Sequence, residues 1–213
     1  MKTVPSLTIF VLVIVLGGST SLYLASLTPD RFGFYHDDGI YVVTAKALAT
    51  GQGYRIISLP YEPPQTKYPP LYPSLLSLIW RLYPQFPENL LSMMLASVLT
   101  TITFLALAWH YLVKRSYATG WQALLAVILT AINWRTVILA TGIYSEVVYS
   151  ALFVAGLSLA EAKDKERRNW PEEVAAGVVI GLAFLTRISG ISLLIAVAAY
   201  CLLTAIQERC PDM

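Results

Sequence analysis

Apolar residues run in long unbroken blocks, and polar residues collect between the blocks rather than alternating within them. Leu7 to Leu27 is the first such block, about 20 residues and enough to cross a hydrocarbon core roughly 30 Å thick. A signal peptide is the competing reading, because Lys2 gives the segment a basic start. The block has no small-x-small cleavage pattern, so an uncleaved anchor with its N-terminus inside is expected. Glu88–Val113, Trp121–Ile143 and Val147–Ala162 read as spans 2 to 4. No proline falls between Pro87 and Pro171, which predicts uninterrupted helices there. The last block, 174–206, is broken by Thr186-Arg187-Ile188-Ser189-Gly190 and reads as two short helices, 174–186 and 190–206. Arginine facing lipid at that depth would cost at least a few kcal/mol, so Arg187 is expected to point into a cavity, where irregular backbone is tolerated.

Between spans 1 and 2 lies a long loop, 28–87, that has structure of its own. Asp38–Thr50 predicts a short amphipathic helix with Ile40, Tyr41, Thr44, Ala47 and Leu48 on one face and Lys46 away from it. Gly51 and Gly53 end it. Six of the twelve prolines fall between Pro60 and Pro73, predicting extended backbone that holds its shape without regular hydrogen bonds. Ser74–Tyr83 is apolar but too short to span and is expected to lie along the interface. Tyr144-Ser145-Glu146 predicts a tight external turn. The expected fold is therefore an all-α polytopic membrane protein of about six transmembrane helices, forming a single domain over 1–213.

Composition agrees with the pattern: 56% of residues are hydrophobic and 13% charged, against about a quarter charged in soluble domains. A net charge of +2 gives no argument for nucleic acid. Basic clusters sit at span ends instead, Lys114-Arg115 and 163–168 among them, and place those ends inside. Cys201 and Cys210 supply neither a disulfide framework nor a Cys/His metal spacing. No metal ligand set is defined, and a divalent-metal requirement stays open.

The chemistry-bearing residues gather on the side away from the basic clusters. Either Asp37 or Asp38 is suited to capping the helix that follows; the other is then free to face a cavity as a general base. Glu146, at the outer end of span 4, is a helix-start acid or the second carboxylate of one site. Lys67 and Arg187 are the cations able to hold a phosphate, one as a point charge and one as a fork. Tyr61, Tyr68 and Tyr72 are candidates to line a sugar or lipid pocket, and Arg135 to snorkel to headgroups.

Three stretches, Asp37-Asp38-Gly39-Ile40-Tyr41, Lys67-Tyr68-Pro69-Pro70-Leu71 and Phe184-Leu185-Thr186-Arg187, resemble landmarks of the GT-C glycosyltransferases that use polyprenyl-phosphate sugars. The nearest groups are the protein O-mannosyltransferases and the lipid A aminoarabinose transferases. The resemblance implies Asp37 as catalytic base, with Asp38, Tyr41, Lys67, Tyr68, Glu146 and Arg187 around the substrates. It also implies a polyprenyl-phosphate-linked sugar as donor and a lipid, glycan or protein as acceptor. The setting would be a bacterial inner membrane. Arg187 stands where that family more often has lysine. Family members are longer, so the chain is expected to correspond to their N-terminal half. A non-catalytic polyprenyl-lipid-binding module is the alternative, and a small transporter a more distant one.

Overall fold

The computed structural model describes residues 6–161 and 170–209; the basic cluster at 163–168 lies outside them. The helices are α1 (Ser6–Ala25), α2 (Asp37–Ala49), α3 (Leu71–Leu82), α4 (Asn89–Lys114), α5 (Gly120–Ile132), α6 (Trp134–Thr141), α7 (Ser145–Ala160), α8 (Trp170–Thr186) and α9 (Ile191–Arg209). Among the described residues there is no strand beyond one isolated bridge, Arg55 to Pro64. The chain is all-helical, as its apolar blocks require.

Among the described residues two helices, α1 and α4, are long and apolar enough to cross a membrane, and a third crossing results if α5 and α6 count as one. Length and composition thus support two or three of the six expected spans, and apolar helices such as α7, of 16 residues, are shorter than that measure requires. Several hydroxyls within α1 and α4 are satisfied internally: Ser19 donates to the Val15 carbonyl, Thr20 to Leu16 and Thr101 to Ser97. Such i−4 bonds let polar residues sit in apolar helices without outside partners. Phe10, Val13 and Ile14 on α1 stand exposed, an apolar face suited to lipid.

The expected uninterrupted third span is corrected by a bend of 65° between α5 and α6. Asn133 causes it. The residue is extended, and its side chain accepts the Arg135 N–H at 2.9 Å, capping α6 anew. Lack of proline does not guarantee a straight helix when Asn offers a cap. At the other end of α5, Thr119 and Gln122 form a capping box, each satisfying a free N–H of the other. The expected turn at Tyr144-Ser145-Glu146 is also shorter than read: Ser145 and Glu146 already belong to the first turn of α7.

Three apolar clusters hold these helices. Leu12, Tyr23, Leu105, Trp109 and Leu124 join α1, α4 and α5, with the Tyr23 hydroxyl donating to the Ala131 carbonyl at 2.9 Å. Tyr41, Tyr72, Leu76, Trp80, Leu90 and Met93 join α2 and α3 to the start of α4. Ala160, Ala176, Ile180, Ala183 and Leu193 join α7, α8 and α9.

Between α8 and α9 the chain breaks where expected. Arg187 is extended (φ −147°, ψ 141°) and a 3₁₀ turn, Ile188–Gly190, follows. A Cβ at Gly190 would lie 2.6 Å from the Phe184 backbone, so only glycine lets the turn close on the end of α8.

Candidate active site

The start of α2 is set by an unusual turn. His36, its N-cap, has φ +64°, a left-handed conformation that costs a β-carbon-bearing residue about 1 kcal/mol or more. Two carboxylates then divide the work. Asp38 is buried, and its oxygens accept the Gly33 N–H at 2.7 Å and the Gly39 N–H at 2.8 Å. It staples the preceding loop to the helix. The side chain of Asp37 is 44% exposed and faces outward from the same turn. The buried face of α2 is Asp38, Tyr41, Val42 and Ala45, with Thr44 and Ala47 beside it and Lys46 exposed. Ile40 and Leu48, expected on that face, are only half-buried.

Asp37 meets the proline-rich segment. Its Oδ1 accepts the Tyr68 hydroxyl and lies 3.5 Å from Lys67 Nζ, which in turn stands 4.7 Å over the Tyr68 ring. The segment is more than a polyproline run: Ile56 N–H donates to Pro63 and Gln65 N–H to Tyr54, closing a one-bridge hairpin. The Tyr54 hydroxyl then donates to the Tyr68 carbonyl at 2.8 Å and also reaches that of Pro69. Gln65 Oε1 accepts the Lys67 N–H. Side chains and one bridge thus fix where Lys67 and Tyr68 stand.

The remaining candidates continue from Tyr68 as one line of contacts. Its ring centroid is 4.7 Å from that of Tyr41. The Tyr41 hydroxyl is 2.9 Å from Ser145 Oγ. Arg187 Nη1 donates to that oxygen at 3.2 Å and lies 2.6 Å from Glu146 Oε1. Lys67, Asp37, Tyr68, Tyr41, Glu146 and Arg187 are therefore brought together, and Ser145 joins their two halves. Ser145 was invisible as a site residue, because a serine opening a helix is ordinary. Tyr72 is core beneath Tyr41, at 4.9 Å between centroids. Tyr61 is fully exposed at the hairpin tip. Arg135 lies outside the cluster, 4.7 Å over the Trp134 ring.

Burial pushes the Tyr41 hydroxyl up to about 12, Glu146 adding to the rise while the Ser145 bond and Arg187 oppose it. Tyr68 is raised by burial first and then by the bond it gives Asp37. Lys67 is raised by the Tyr68 hydroxyl first and the Asp37 carboxylate after it. At neutral pH the phenols are therefore neutral and Lys67 is charged. Two acids and two cations face one another across a tyrosine pair, an arrangement able to accept a proton at one end and bind an anion at either cation.

Two cavities flank the start of α2, with Phe32 lining both. One of about 490 Å³ is mostly apolar and bounded by Ile40, Val43, Lys46, Trp80 and Phe86. The other, about 250 Å³, is bounded by Arg31, Tyr35, Asp38, Ile138 and Tyr144. Among the described residues no three His, Cys, Asp or Glu side chains gather as a metal site would need.

No curated protein and no solved structure matches the chain. Residues 67–211 match the dolichyl-phosphate-mannose-protein mannosyltransferase family. That stretch is well over half of the chain; it begins at Lys67 and takes in Glu146 and Arg187, while Asp37 and Asp38 lie earlier in the loop, outside the match. On that match the chain belongs to this family of membrane glycosyltransferases of the GT-C type.

Proposed function

We propose that the protein transfers a sugar from a polyprenyl-phosphate donor to an acceptor on the non-cytoplasmic side of a membrane that its helices cross several times. The observation that carries this reading is the unbroken line of contacts from Asp37 to Arg187, with Lys67 paired at the near end and Glu146 at the far one. The donor's phosphate lies against Arg187 and Lys67, and its tail against the apolar helices. An acceptor hydroxyl attacks the anomeric carbon from the face opposite the phosphate. The new glycosidic bond forms as the anomeric carbon–phosphate oxygen bond breaks, so the configuration inverts. Asp37 takes the acceptor's proton, and the lipid phosphate leaves with the bonding pair. Positive charge already in place on Arg187 and Lys67 stabilises that leaving group, where preorganised electrostatics count most. Tyr68 orients Asp37 through its hydroxyl, and Asp38 acts on the loop rather than on substrate.

Asp37→Asn keeps the size of the side chain and the bond from Tyr68 but removes the base. Release of lipid phosphate from a radiolabelled polyprenyl-phosphate hexose, given to the purified protein with a mixed glycan and peptide acceptor pool, should fall by about 10²–10⁴. The unfolding temperature should not move. Transfer at the wild-type rate would remove Asp37 from this role. Binding of the donor without any release by the wild-type protein would favour the lipid-binding module instead.

A further inference from the structure

Ser145 opens α7 with no solvent exposure, whereas the side chains of its neighbours Arg187 and Glu146 are 34% and 35% exposed. Most hydroxyls so deeply placed are hydrogen-bonded, and this one meets the Tyr41 hydroxyl at 2.9 Å and Arg187 Nη1 at 3.2 Å. A guanidinium only donates, so Ser145 Oγ accepts from Arg187 and uses its proton or its other lone pair on Tyr41. Nη1 carries two hydrogens; Glu146 Oε1, at 2.6 Å, draws one and Ser145 the other. Arg187 itself sits at a break with extended backbone, so no helix fixes its side chain. Its orientation depends on what touches it.

Resting on the donor reading above, we propose that Ser145 is a positioning residue for the donor phosphate. It holds Nη1 so that the Nε and Nη2 edge of Arg187 is turned to the anion as a fork. Through Tyr41 it keeps that fork in register with Tyr68 and Asp37. Neither Lys67 nor Glu146 can do this, since each contacts one half of the site alone.

Farnesyl phosphate and farnesol, titrated against the full-length protein in detergent, separate the effect on the phosphate from any general disturbance. Ser145→Ala should weaken farnesyl phosphate about tenfold and leave farnesol within about twofold. Unchanged binding of farnesyl phosphate would overturn the assignment, and so would an equal loss for both ligands, which marks a purely structural serine. If Ser145→Ala does not fold, Tyr41→Phe decides. It takes one of Ser145's two bonds away and should weaken the phosphate alone by about threefold; no change would again overturn the proposal. Wild-type protein with no preference for the phosphate over the alcohol would instead sink the donor reading, and the role of Ser145 with it.

Discussion

Each cation of the site is matched by an acid: Lys67 by Asp37 at 3.5 Å and Arg187 by Glu146 at 2.6 Å. These side chains are all partly exposed, and pairs of that kind contribute only about 0–1 kcal/mol. An arriving phosphate therefore draws Lys67 from Asp37 at little cost, and meets the Nε and Nη2 edge of Arg187 with Glu146 still on Nη1. Glu146→Gln keeps an acceptor for Arg187 Nη1 while removing the competing charge. Farnesyl phosphate should then bind about threefold tighter, with a steeper dependence on salt; weaker binding would show that Glu146 assists the anion rather than competing with it. Charges such as Asp37, Lys67 and Arg187 are legible in a sequence this apolar, because each is costly near a bilayer unless something answers it. Ser145 is not. Its partners are 104 and 42 residues away, and nothing local distinguishes it from any other helix-opening serine.

The elements behave the same way. The break at Arg187 could be read ahead because a charge and a glycine interrupt an apolar block, whereas the bend at Asn133 depends on a cap that one asparagine makes with its own chain. The segment from Gly51 to Pro70 is intermediate: its prolines announce a fixed shape, but Tyr54 determines where that shape stops. The Tyr54 hydroxyl is pushed up by burial to about 12. A phenol whose folded value is raised contributes stability that is whole below the ordinary value near 10 and lost as pH rises through the folded one. Tyr54→Phe should cost about 1 kcal/mol at neutral pH, measured by thermal unfolding in detergent. The difference from wild type should stay level to about pH 10 and shrink towards about pH 12. A difference indifferent to pH across that window would mean that the hydroxyl does not anchor Tyr68 and Pro69.

Across the whole molecule α4 is the common wall, meeting α1, α3, α5, α6 and α7. With 26 residues it is roughly 40 Å long, and its ends do different things. The Asn89 end carries α2, α3 and the candidate site. At the Lys114 end, Glu161 from α7's C-cap accepts the hydroxyls of Tyr111 and Tyr117 at 2.9 and 3.0 Å and faces Arg115 Nε at 3.8 Å. Arg115 Nη2 also donates to the Ser158 carbonyl at 2.6 Å. The Arg115 side chain is only 9% exposed, and among the described residues Glu161 is the carboxylate that answers its charge. Glu161→Ala takes the carboxylate away from that nearly buried charge and from both phenols, and should cost about 3 kcal/mol of stability. Because the clamp stands at the far end of α4, farnesyl phosphate should still bind as it does to wild type wherever the variant is folded. Thermal unfolding and ligand titration on the same preparation test both halves. A stability loss accompanied by weakened phosphate binding would show that α4 transmits strain from one end to the other rather than standing between them as a rigid post.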